Sequence, residues 1–189
     1  MNSKYNVIYS DPPWRFAAGG DRNATNHYNC MKINDICALP VADWAADDCA
    51  LFMWVTFPTL HQSFQVMDAW GFEYKTCAFA WVKSKKSLDV NQPAFFPDDN
   101  LDSFMGLGYW TRANVELCLL ATKGKPKRES RSVRQVVFEP IREHSRKPDC
   151  IRERIIELCG DVPRMEMFAR QTTPGWDVFG NQTDKFKGE

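Results

Sequence analysis

Apolar residues follow two rhythms along this chain. Near-continuous apolar runs occupy residues 7–10 (V-I-Y-S), 49–55 (C-A-L-F-M-W-V), 74–83 (Y-K-T-C-A-F-A-W-V-K), 114–122 (N-V-E-L-C-L-L-A-T) and, more briefly, 135–138 (Q-V-V-F). Runs of this length, rich in aromatic and β-branched residues, predict buried strands. Between them the period changes. Leu60, Phe64 and Met67 recur at helical spacing before Gly71, and Ile151, Ile155 and Leu158 do so before Gly160. Each set marks a helix with one apolar face and a glycine stop. A short helical pattern covers 33–38, and a last strand is expected over 164–170 (R-M-E-M-F-A-R). Strand, helix and strand over 49–83 have the spacing of a βαβ unit, hence a parallel sheet. The expected fold class is α/β, one domain over 1–189.

The first strand ends at Ser10-Asp11-Pro12-Pro13-Trp14. Two prolines cannot continue a sheet ladder, and they fix the backbone just past it. Asp11 is therefore expected at a strand's carboxyl end, where open α/β sheets bind ligands. The chemistry that suits these groups is methylation of a planar amine. The N6 amine of adenine is a poor nucleophile because its lone pair is delocalised into the ring. Two acceptors aimed at its hydrogens would localise that pair. The Asp11 carboxylate is one, and the Pro12 carbonyl, held by Pro13, is the other. Trp14 would stack on the base. The same residues also suit a plain Asp-Pro turn with Trp14 as an anchor.

Composition narrows the field. The chain has 189 residues and 44% hydrophobic content, enough for a real core. Its 24 basic and 24 acidic residues cancel, so any nucleic-acid partner must be recognised by local charge. The seven cysteines are odd in number and form no C-x-x-C pair. They read as reduced core thiols of a cytoplasmic protein. Three widely separated histidines offer no metal-like spacing, and no metal is expected. Neither a signal peptide nor a membrane-spanning run is expected.

Two long segments, 17–32 and 84–110, lack periodicity and read as lids or interfaces. Tyr28, near the end of the first, is a candidate to stack on or orient the base, or else to pin the loop. Lys83 lies at a strand end, facing substrate or solvent. Residues 123–134 hold six basic residues and one acid. Lys125, Lys127 and Arg128 in this block are candidate contacts to a nucleic-acid backbone.

Asp11-Pro12-Pro13-Trp14 resembles the catalytic motif of the MT-A70 family of N6-adenine methyltransferases, and the likeness runs from Tyr5 to Gln182. Ser145-Arg146-Lys147-Pro148, Glu166-Met167-Phe168-Ala169-Arg170 and Gly180-Asn181-Gln182 are similar to further family segments, in the family's order. The resemblance implies a Rossmann-like fold that binds S-adenosylmethionine (SAM), with permuted motifs and helices on both faces of the sheet. It implies that SAM is held by Asp11, Lys147, Phe168, Arg170, Asn181 and Gln182. It implies a nucleic-acid substrate, DNA by likeness to bacterial and phage members, with RNA as the alternative. A catalytically silent partner subunit is the reading from another class, and a homo- or heterodimer fits the family. The chain departs from the family where a His-Asn pair is replaced by Thr172-Thr173, so the role of Thr173 at the cofactor stays open.

Overall fold

The computed structural model describes residues 4–15, 30–84, 104, 106, 108, 110–143 and 145–186. Seven strands form one sheet: β1 (Tyr5–Ser10), β2 (Ala45–Val55), β3 (Glu73–Ser84), β4 (Val115–Lys123), β5 (Val136–Pro140), β6 (Arg164–Met167) and β7 (Asp177–Phe179). Their spatial order is β5-β3-β4-β2-β1-β6-β7. Every pairing is parallel except the two made by β4. The sheet is thus mostly parallel, as a Rossmann-like methyltransferase requires.

One detail of the expected βαβ unit is corrected. β2 and β3 run the same way, but β4 is inserted antiparallel between them. Periodicity reports that a segment is a buried strand; it does not report which strand lies beside it.

Strand alternation sends side chains to two cores. On one face Ile8, Leu51 and Met53 pack with α1 (Ile33–Cys37), α2 (Val41–Trp44) and α3 (Leu60–Ala69). On the other, Val7, Tyr9, Phe52 and Trp54 pack with Ile151 and Ile155 of α4 (Cys150–Cys159). Burial of each large apolar side chain contributes about 1.5–3 kcal/mol.

α3 differs from the expected stripe. Its buried residues are Ser63, Val66 and Met67, whereas Phe64 is 37% exposed and meets Tyr74 edge-on. The Ser63 hydroxyl donates to the Leu60 carbonyl at 2.6 Å. That bond lets a serine occupy the buried face without an orphaned donor. α4 ends at Gly160, whose φ of +82° is glycine territory.

The sheet also fixes where a ligand can bind. From β1 the chain moves to β2 on one side; from β6 it moves to β7 on the other. β1 and β6 are adjacent and parallel, so their carboxyl ends flank a topological switch point. Open α/β sheets have a crevice there. Among the described residues no helix is long and apolar enough to cross a membrane.

Candidate active site

A cavity of about 560 Å³ opens at this crevice, inside the usual range for small-molecule sites of roughly 300–1,000 Å³. Asp11 and Pro13 enter it from the end of β1, and Phe168, Ala169 and Arg170 from the end of β6. Phe179, the last residue of β7, and Gly180 to Gln182 after it close the far wall, while Cys30, Met31 and Leu39 line the near side. The cavity therefore gathers Asp11, Pro13, Phe168, Arg170, Asn181 and Gln182 from the residues singled out in the sequence.

Local backbone geometry explains the shape. The strand expected over 164–170 stops at Met167, because Phe168 takes a φ of +59°. A non-glycine residue in that region is uncommon and costs about 1–3 kcal/mol. The turn swings Ala169 and Arg170 into the crevice. Ala169 N–H then donates to the Phe179 carbonyl at 3.2 Å, tying this turn to β7. Gly180 passes so close that an added Cβ would lie 2.6 Å from the Ala169 oxygen. Only glycine fits there.

The Asp-Pro-Pro-Trp turn is held at both ends. Trp14 N–H donates to the Pro12 carbonyl at 2.8 Å, and Met31 N–H donates to the Pro13 carbonyl at 3.0 Å. Each carbonyl has two lone pairs, so Pro12 keeps one acceptor site. Trp14 corrects the expectation that it stacks on a base. It is 4% exposed, sits in the core with Ile36 and Met53, and donates its indole N–H to the Trp54 carbonyl at 3.0 Å. It anchors the turn.

Asp11 is the end of a chain of four charges. Lys147 Nζ is 2.9 Å from Asp11 Oδ2 and 3.3 Å from Glu116 Oε2. Lys83 Nζ is 2.5 Å from Glu116 Oε1. Burial alone would raise the Glu116 carboxyl, but the Lys147 and Lys83 ammonium groups outweigh it and hold it at about 2. Burial would likewise lower Lys147, but the Asp11 and Glu116 carboxylates hold its ammonium above the ordinary lysine range. Lys147 thus lies behind Asp11 and is not among the residues lining the cavity.

The segment carrying Lys147 is itself clamped. Arg142 donates to the Lys147 carbonyl at 3.0 Å and to Asp149 at 2.6 Å. Arg152 bridges Asp149 and grips both oxygens of Glu166 at 2.7 Å, joining α4 to β6.

Other expected contacts fall elsewhere. Lys83 is at the active edge, but it is engaged by Glu116 and by the Trp81 ring at 5.0 Å. Thr173 does not line the cavity; its hydroxyl is buried without a partner among the described residues. Tyr28 lies outside the described residues. Lys125, Lys127 and Arg128, expected as contacts to a nucleic-acid backbone, lie away from this cavity. β4 runs antiparallel, so Lys123 pairs with Cys49, near the start of β2, whereas Ser10 pairs with Met53. Four residues of strand, about 13 Å, separate those levels. The basic block leaves β4 on the opposite edge of the sheet, where Lys125 N–H bonds Asp48.

Glu116 is the residue that the sequence reading missed. An acid between Val115 and Leu117 in an otherwise apolar strand was its only signal. Among the described residues no group of three His, Cys, Asp or Glu side chains is arranged to hold a metal ion.

The comparisons with known proteins bear on this geometry. The family model described as MT-A70 matches residues 5–182. The type II methyltransferase M.MunI of a Mycoplasma species is 33% identical, over 94% of this chain and 77% of that protein. The N(6)-adenosine-methyltransferase MT-A70-like protein of Drosophila melanogaster is 28% identical over 96% of this chain. The human N(6)-adenosine-methyltransferase catalytic subunit METTL3 is 26% identical over 96%. The chain spans only 27% and 28% of those two proteins' lengths.

Proposed function

The chain belongs to the MT-A70 family of methyltransferases, and from that premise we propose that it methylates the N6 amine of adenine in DNA with SAM as donor. The observation that carries this reading is the position of Asp11 and the Pro12–Pro13 turn. Asp11 and Pro13 stand at the wall of a cavity that also gathers Phe168, Arg170, Asn181 and Gln182, and the buried Pro12 lies between them in the turn.

The residues present suit SAM. Asn181 and Gln182 carry amide donors and acceptors for ribose and adenine edges. Arg170 offers a guanidinium fork that matches a carboxylate. Phe168 and Phe179 give an apolar wall for a purine face. When bound, SAM supplies an electrophilic methyl group on a positively charged sulfur.

The chain's own groups handle the amine. The Asp11 carboxylate accepts one N6 hydrogen and the Pro12 carbonyl the other, which localises the nitrogen lone pair for attack. Asp11 is then placed to take the proton that the methylated nitrogen sheds. Pro13 and the Trp14 anchor keep both acceptors in place, so little reorganisation is needed during reaction. A duplex substrate would have its target base flipped out, at a cost of about a few kcal/mol.

DNA is favoured by the likeness to the family's bacterial and phage members, with the type II methyltransferase M.MunI having the higher identity and fuller mutual coverage. RNA is the second reading, supported by the adenosine methyltransferases at 26–28% identity. Labelled SAM with matched DNA and RNA oligonucleotides separates the two. Asp11→Ala is expected to abolish methyl transfer while calorimetry still detects SAM binding. Full activity in that variant would refute the assignment, and failure of the wild-type chain to bind SAM would favour a silent partner subunit.

A further inference from the structure

The basic block lies on the far edge of the sheet, so phosphates flanking a target adenine need other cations. A second, smaller cavity of about 190 Å³ lies beside the first, and Met31 lines both. It is lined by Trp14, Arg15, Lys32, Ile36 and Gln62 as well. The parallel bridge between Trp14 and Met31 explains its charge. The residues that follow, Arg15 and Lys32, are thereby brought near one another, and both line the groove. Both are exposed, and among the described residues no acid lines the groove. Like charges opposite one another repel, so an anion between them is the arrangement that relieves the pair. Gln62 adds an amide donor. Arg15 is four residues from Asp11, within about 14 Å even if the chain were fully extended.

We infer that Arg15, Lys32 and Gln62 form a phosphodiester-binding groove that holds the nucleic-acid backbone beside the nucleotide whose base reaches Asp11. The inference rests on the proposed function for its substrate, and its test reads binding separately from methylation. The probe is a fluorescein-labelled, adenine-containing DNA duplex, titrated by anisotropy over a range of salt concentrations. Arg15→Gln with Lys32→Gln removes two phosphate contacts, so the slope of log K against log salt should become shallower by about 1.8. The KM for the duplex should rise about tenfold, with kcat within twofold and SAM affinity by calorimetry unchanged. Arg15→Lys with Lys32→Arg should restore the slope, which a packing role would not. Lys125→Gln with Lys127→Gln should leave both slope and KM as in the wild type.

An unchanged slope in the Arg15/Lys32 variant overturns the inference. So does a shallower slope found only in the Lys125/Lys127 variant. If the wild type binds the duplex but methylates no nucleic acid, the proposed function fails instead, and the salt slope still decides the groove.

Discussion

At the scale of single residues, the site is governed by how Asp11 is held. Among the described residues its carboxylate has one ammonium neighbour, Lys147, and Lys147 is shared with Glu116. Removing the Glu116 charge leaves Lys83 and Lys147 with Asp11 as the carboxylate of the cluster, so Lys147 is drawn onto the group proposed to receive the amine. Glu116→Gln is expected to lower kcat at least tenfold, about 1.4 kcal/mol of barrier, while SAM binding persists. Its effect on stability has a definite pH sign. The folded Glu116 carboxyl lies at about 2, below its ordinary value of 4.5. A depressed carboxyl contributes stability that is fully present above the unfolded value and is lost as pH falls through the folded one. Urea unfolding should therefore show a constant gap between wild type and Glu116→Gln above about pH 5.5 that shrinks between pH 4.5 and 2. A gap that widened in acid would contradict the pairing. Trp14→Phe keeps a ring but leaves the buried Trp54 carbonyl without its donor, which costs about 1–3 kcal/mol. A matching fall in Tm, larger than any change in KM, would mark Trp14 as an anchor and not a base contact. Asp11 could be found in the sequence because an acid between a strand and two prolines is locally unusual. The role of Trp14 could not, because its partner is 40 residues away.

At the scale of elements, the pocket depends on two short pieces that periodicity did not reveal. β7 has three residues and α2 has four, too few for a pattern to show. Yet β7 carries Phe179 to the cavity and delivers the Gly180-Asn181-Gln182 turn. The long elements were legible: β1, β2, β3 and α4 sit within a few residues of the apolar runs that announced them. Their bounds moved where the backbone did something local, as at Phe168, whose positive φ ends β6 three residues early. That turn and β7 touch through Gly180, which gives a specific expectation. Gly180→Ala places a methyl against the Ala169 carbonyl, and backbone must move to admit it. SAM affinity should fall at least tenfold by calorimetry, while global stability changes by about 1–3 kcal/mol. Unaltered affinity would show that the β6–β7 approach does not shape the cofactor site.

At the scale of the whole molecule, the two edges of one sheet carry different groups. The carboxyl edge of β1, β6 and β7 holds the cavity; the opposite edge receives the basic block after β4. Charge density in the sequence pointed to that block as a substrate contact, but strand direction decides the edge, and direction is set by long-range pairing. The order of strands also ranks their stability. β1, β2 and β4 are paired on both sides, whereas β5 and β7 are edges. Edge elements open first in native-state exchange, so the outer wall of the cavity is one of the two least secured pieces of the sheet. A ligand that binds only the closed form stabilises it by about 2.7 kcal/mol at a hundredfold excess over its Kd. Adding SAM should therefore slow amide exchange at 168–170 and 177–182 by up to about a hundredfold, and leave β5 unaffected. The two edges act as each other's control, since both are short, both are paired on one side, and only β7 borders the cavity. Protection appearing equally in β5 would indicate general tightening, and protection in β5 alone would place the cofactor away from Asp11.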